Sequence, residues 1–428
     1  MTRRHLIAIC LVGIMGASSP AWAIEPTRPV DWLRFATQRL CGLATLDGLA
    51  AQELLPGSWL IADDTRQTST QRARVSQRFA LADGNELRID RFQPGGRLRR
   101  FTLGYYERVA DAIRPSIWAT ADQTCQIRAG RRIVNRSDGP WRGLEQLESD
   151  LATVRWIETL QAPWPAGDNP TGPRVALIDS GLAYDLAIFR DRLARGPDLV
   201  PLGYDFWDMD PWPYDADVSR GDFLPIRHGT TVASVLIREA PAVALIPYRY
   251  PRPDMARMSE VVRRAANAKA RIIAMPLGSN VQNAWAAFFS AVRSHPEILV
   301  VVSAGNNGRD IDTEPVWPAS LSLDNMIVVT SSDAFGRLAR GSNWGRQAVD
   351  IMLPAENVPI VDFRGAKGSA SGSSYAVPRL AAMAARMLQT KPSLTVAQLK
   401  ARIFERATVS PYERNAVAIG WIPDPDRD

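Results

Sequence analysis

Two rhythms of apolar and polar residues divide this chain. Val75, Gln77, Phe79 and Leu81 occupy one parity, Asp83-Gly84-Asn85 supplies a turn, and Leu87 and Ile89 resume the alternation. Period-two alternation across a glycine-containing turn predicts a β-hairpin with one buried face. Pro94-Gly-Gly96 turns the chain again before a strand over Leu98–Tyr106, and strand-like runs follow around Ile117-Trp118 and Cys125–Val134. A short helix is expected near the start of this region. Leu144, Leu147, Leu151 and Val154 recur at helical spacing and predict a helix leading out of it.

From about residue 150 the rhythm changes. Val175–Ile178, Ala242–Ile246, Ile272–Met275, Ile298–Ser303 and Met326–Thr330 are unbroken apolar or β-branched runs, with helical patterns between them at Met258–Lys269 and Trp285–Arg293. Continuous runs suit parallel strands covered on both faces, and their alternation with helices implies a doubly wound sheet. The expected fold class is α/β, a doubly wound, mostly parallel sheet preceded by a smaller, mainly antiparallel β domain at the N-terminus.

Composition narrows the class. The chain has 428 residues, 46% of them apolar and 22% charged, which fits two globular domains rather than disorder. Its formal charge of +6 raises the question of nucleic acid, but the arginines are scattered and form no long basic run, so no nucleic-acid partner is expected. Arg3 and Arg4, the apolar stretch Leu6–Met15 and the small residues Ala21 and Ala23 read as a secretory leader over residues 1–23. The division expected is therefore leader 1–23, N-terminal domain 24–148 and a second domain 149–428. The destination is exported, periplasmic or secreted, with no stable membrane span once the leader is cleaved. Cys10 leaves with that leader, and Cys41 and Cys125 remain either as a disulfide or as two buried thiols.

Three segments carry candidate chemistry: Val175-Ala-Leu-Ile-Asp-Ser-Gly181, His228-Gly-Thr-Thr-Val-Ala-Ser234 and Gly372-Ser-Ser-Tyr-Ala-Val-Pro378. A serine hydroxyl needs a base, and a base titrating near neutrality is best supplied by histidine. Of three histidines, His5 lies in the leader and His295 precedes a proline in a plain loop, so His228 is the candidate base. Asp179 closes an apolar strand, where open α/β sheets place their sites. Ser374 follows a glycine at the start of a helical pattern, where exposed backbone N–H groups favour a developing oxyanion; Pro378 is expected in that helix's first turn. The order Asp179, His228, Ser374 excludes chymotrypsin-like and α/β-hydrolase layouts, and a Gly-x-Ser-x-Gly elbow fails at Ala376.

With Val301-Val-Ser-Ala-Gly-Asn-Asn-Gly308 as a fourth segment, the chain resembles the subtilisin-like serine peptidase family over roughly residues 155–412. Further matches lie at Tyr204-Asp-Phe206, Asp324-Asn-Met-Ile327 and Ser342-Asn-Trp-Gly345. The resemblance implies a subtilisin-like topology, a triad of Asp179, His228 and Ser374, and Asn306 as an oxyanion-hole donor. It implies that Leu277 and Gly278 pair with an extended peptide and that Ser303, Ala304 and Gly305 line the S1 pocket, with Val316 near its floor and a mildly apolar P1 preference. Ser373 and Tyr375 depart from the usual Gly-Thr-Ser-Met-Ala-x-Pro, and Pro276 replaces the usual Ser before Leu-Gly. The chain lacks the long insertion that carries a calcium site in many relatives, so no metal and no cofactor are expected. The partner expected is a peptide or protein substrate. The N-terminal domain is either a propeptide acting as intramolecular inhibitor or chaperone, or a permanent accessory domain. A catalytically silent scaffold that binds peptides is the alternative to an enzyme, although no triad member is missing.

Overall fold

The structure, a computed structural model, describes residues 26–44, 46–68, 71–137 and 139–427. The expected leader, with His5 and Cys10, lies outside these residues. Eight strands between Ser58 and Gln161 follow their chain order along one sheet, and the pairings recorded within it are antiparallel. By compactness the described chain forms two units, residues 26–130 with 148–153, and residues 131–147 with 154–427.

In the first unit the hairpin expected from alternation is present, with Phe79 opposite Leu87 and Gln77 opposite Ile89, all four buried. Helix Pro29–Leu40 opens with proline in its first turn, where the missing N–H costs nothing. Its Trp32, Leu33, Ala36 and Leu40 fall three to four residues apart and are buried as it packs on strands Arg100–Val109 and Ala112–Ala121. Buried Arg91 donates to the carbonyls of Leu40 and Cys41, a cation capping the helix's negative end. Cys41, just past that end, is disulfide-bonded to Cys125, with their Cα atoms 5.6 Å apart.

The helix expected over Leu144–Val154 does not form. Arg142–Leu147 and Val154–Gln161 are two strands of an antiparallel hairpin. A register irregularity between Gln146 and Leu147 turns Leu147 to the same buried side as Leu144, three residues away, which imitates helical spacing. Leu151 is buried from a left-handed turn conformation, φ +56°.

The second unit is built on a sheet in the order Tyr204–Asp205, Ala244–Arg249, Arg174–Asp179, Ile272–Met275, Leu299–Ser303, Met326–Ser332, Ile351–Pro354, Gly420–Trp421, parallel throughout. Successive residues face opposite cores: Val175 and Leu177 enter one apolar cluster, Ala176 and Ile178 the other. This explains why the strands read as unbroken apolar runs, each fully buried aliphatic side chain contributing about 1.5–3 kcal/mol. Helices Gly229–Glu239 and Ser373–Thr390 cover the first face; Met258–Asn267 and Ala286–Arg293 cover the second. After Arg174–Asp179 the chain fills positions on one side of that strand, then crosses to Ile272–Met275 on the other. Such a reversal of strand order opens a crevice at the strands' carboxyl ends.

Candidate active site

Asp179 is the last residue of its strand, at the carboxyl end of the sheet, and is 1% exposed. Its Oδ1 accepts the Ser180 backbone N–H at 2.6 Å. His228 precedes helix Gly229–Glu239, and its Nδ1 lies 2.8 and 2.9 Å from the two Asp179 carboxylate oxygens. The pair meets because residue 229 has no side chain. A Cβ there would stand 2.0 Å from the Gly181 carbonyl and 3.1 Å from the Asp179 Cβ, so any other residue would force helix and strand apart.

Beneath this pair lies Asp215, wholly buried and unannounced in the sequence reading. Its Oδ1 accepts the Ser180 hydroxyl at 2.6 Å, and its Oδ2 accepts the Thr230 N–H at 2.9 Å. The His228 N–H lies 3.2 Å from the same Oδ1 and 3.1 Å from Ser180 Oγ. Burial raises the Asp215 pKa. Burial also acts to lower the His228 pKa, but the Asp179 carboxylate outweighs it, with Asp215 and Asp217 adding to the effect, and holds the imidazole above its ordinary value. The side chain is 30% exposed, and Nε2 makes no hydrogen bond among the described residues.

Ser374 is the second residue of helix Ser373–Thr390 and is partly exposed. Its hydroxyl and its backbone N–H make no hydrogen bond among the described residues, and no Ser374–His228 bond is formed. Catalytic hydrogen bonds are often long in unliganded sites and tighten only with substrate. Tyr375 links the two helices, its hydroxyl 3.0 Å from Thr231 Oγ1 and its ring 6.0 Å from the imidazole. Pro378 falls at the sixth helical position rather than in the first turn, so the Ser374 carbonyl loses its i+4 donor.

Asn306 is exposed, and its Oδ1 accepts both the N–H and the hydroxyl of Ser373, at 2.9 and 2.8 Å. A backbone N–H can only donate, which fixes the amide orientation and leaves Nδ2 as the outward donor. Gly372 permits this contact: its φ is +125°, and a Cβ there would press on Asn306 at 3.2 Å. Asn306 Nδ2 and the Ser374 N–H make no hydrogen bond among the described residues, so two donors remain free, one on the amide held by Ser373 and one on the next residue of the chain.

The residues expected to hold substrate lie in three neighbouring segments. Ser303 ends its strand and hydrogen-bonds Ser373 Oγ at 2.7 Å; Ala304 is buried; Gly305 has φ +97°. Gly278 is exposed and lies against Val316 and Trp317, a Cβ there meeting them at 3.2–3.3 Å. Ser279 and Trp317 then pair through two backbone hydrogen bonds of 2.8 Å. Leu277 packs on the second core cluster.

A model of the Subtilase family matches residues 171–421, more than half of the chain. This chain belongs to the subtilase family. A thermophilic serine proteinase of Bacillus sp. (strain AK1) is 28% identical over 239 residues, 52% of this chain and 53% of that protein, so the chain spans about half the length of that relative. The thermostable alkaline protease of Halalkalibacterium halodurans is 29% identical over 274 residues, 60% of this chain and 68% of that protein. Among solved structures, a cold-adapted subtilisin-like serine proteinase aligns with TM-score 0.48 at 22% identity, covering 59% of this chain and 88% of its own. Around the candidate triad of this subtilase stand groups that were not legible as site residues: Ser180 and Thr231, inside the quoted segments, and Asp215 and Arg227, outside them. Asp215 sits in an aspartate-rich loop whose composition signals only turns.

Proposed function

We propose that this subtilase is an exported serine endopeptidase working through Asp179, His228 and Ser374. The observation that carries this reading is the two-oxygen grip of Asp179 on His228 Nδ1, which commits that nitrogen to carrying the proton and leaves Nε2 as the base. Ser374 Oγ attacks the scissile carbonyl carbon as its proton passes to Nε2. The carbonyl oxygen becomes an oxyanion that accepts from Asn306 Nδ2 and the Ser374 N–H. The imidazolium then protonates the leaving amine, the C–N bond breaks, and an acyl-enzyme remains. Water, deprotonated by Nε2, repeats the attack and releases the acid with Ser374 restored.

Leu277 and Gly278 are proposed to pair with the substrate backbone, and Ser303, Ala304, Gly305 and Val316 to form a mildly apolar P1 site. Export is supported by the Cys41–Cys125 disulfide, which persists in oxidising compartments. No helix among the described residues is long and apolar enough to cross a membrane. Residues 24–148 are proposed to act as a propeptide that serves as intramolecular chaperone or inhibitor, or as a permanent accessory domain.

A fluorophosphonate probe tests the reading. Labelling of wild type that disappears in Ser374→Ala is expected; an unlabelled wild type across neutral and alkaline pH would leave only a silent scaffold. Intact mass of both proteins, secreted side by side, reads any Ser374-dependent processing of the N-terminal residues.

A further inference from the structure

Arg227 stands immediately before His228, and its side chain is only 6% exposed. Among the described residues its one ion pair is with Glu158, itself 7% exposed, with the closest approach 2.6 Å and a second contact from Nε at 3.1 Å. Arg227 Nη2 also donates to the Thr159 carbonyl at 3.0 Å, and Nη1 donates to the Asp215 carbonyl. Glu158 belongs to strand Val154–Gln161, before the residues that match the family. Its other oxygen accepts from Gln146 of the partner strand Arg142–Leu147.

The path inward is continuous. Glu158 holds the Arg227 guanidinium, the guanidinium holds the Asp215 backbone, and the Asp215 carboxylate holds Ser180 and Thr230 at either side of His228. A buried guanidinium without its carboxylate would be an uncompensated charge on the residue next to His228, in contact with the Asp215 backbone. We propose that Glu158 is a positioning residue for His228, acting through Arg227 and Asp215, and that the hairpin 142–161 is part of the working site rather than a removable leader. This rests on the reading of His228 as the base for Ser374.

The charged and titratable groups around His228 are Asp179 from its strand end, Asp215 and Asp217 from the loop and Tyr375 from the serine helix, with Arg227 the preceding residue and bound to the Asp215 carbonyl. Removing one member of the Glu158–Arg227 pair shifts the imidazole in a direction set by which charge is left. Glu158→Gln leaves the cation, which disfavours the imidazolium and lowers the acid limb of the kcat profile. Arg227→Gln leaves the carboxylate and raises it. Both variants are made in the full chain, and kcat, KM and the pH profile are measured with a peptide substrate. The His228 ring titration is followed by NMR in the same variants carrying Ser374→Ala.

The expected result is kcat reduced about tenfold with KM within about twofold, as a displaced base costs rate rather than binding, and limbs displaced in opposite directions. Should one variant not fold, the sign of the other's displacement decides. Unmoved limbs and an unmoved ring titration in the folded variants would overturn the proposal, as would an active mature form beginning downstream of Glu158. A wild type without Ser374-dependent turnover would instead fail the peptidase reading, and the ring titration would still report on Glu158.

Discussion

The two units solve the problem of burying a sheet in opposite ways. In the first, strands pair with their sequence neighbours, one helix lies across Arg100–Ala121, and a disulfide ties Cys41 to Cys125 across 84 residues. In the second, the central strands of the parallel sheet are buried on both faces, and helices join Ala244–Arg249 to Ile272–Met275 and Ile272–Met275 to Leu299–Ser303. The contrast teaches where chemistry can collect. A parallel sheet delivers the ends of several strands and the starts of several helices to one edge, and there Asp179, His228 and Ser374 stand. Among the described residues, the meander of the first unit gathers no comparable set.

The largest expected effect tests whether chemistry is confined to the second unit. Asp179→Asn keeps the shape but offers the imidazole an amide where a carboxylate stood, and kcat should fall about 10⁴-fold in a peptide assay while the fold persists. Activity retained within tenfold would move the catalytic base away from His228. Next, Cys41→Ser should destabilise the first unit by about 4–5 kcal/mol, given the loop it opens. Denaturation followed separately for the two units should show an earlier transition in the first and none displaced in the second.

Asn306→Ala should lower kcat about 10²–10³-fold with KM little changed, because its amide is asked to bind charge that exists only in the transition state. A loss expressed in KM alone would instead make Asn306 a substrate contact. The smallest effect is electrostatic. Since the folded site favours the protonated imidazole, the acid limb of kcat/KM should lie above the ordinary histidine value of about 6.5. The stability this pair contributes is present at acidic pH, below the unfolded value, and is lost as pH rises through the folded one. An acid limb below 6.5 would mean that burial, not Asp179, governs the ring.

Much of this was legible beforehand, for physical reasons. The five apolar runs became five strands of the parallel sheet because double burial leaves no room for polar alternation; only Ala244–Arg249 starts two residues late, after the turn at Pro241-Ala242. The four motif segments read clearly because glycines and strand ends constrain them. The failures share a cause, a local pattern reinterpreted by distant geometry. Leu144 and Leu147 lie on one side through an irregular strand, not a helix. Whether Cys41 and Cys125 bond is a matter of Cα separation, which no spacing encodes. Glu158 and Arg227, 69 residues apart, meet without any periodicity to announce them.

Gly229 has a consequence for motion as well as for fit. Because helix and strand touch through main chain at that residue, imidazole and carboxylate share one rigid mounting and should fluctuate together. The Ser374 hydroxyl, by contrast, is an untethered rotor. On the peptidase reading proposed above, whatever waiting the site does before it reacts is then done by one torsion angle, which a bound substrate would still.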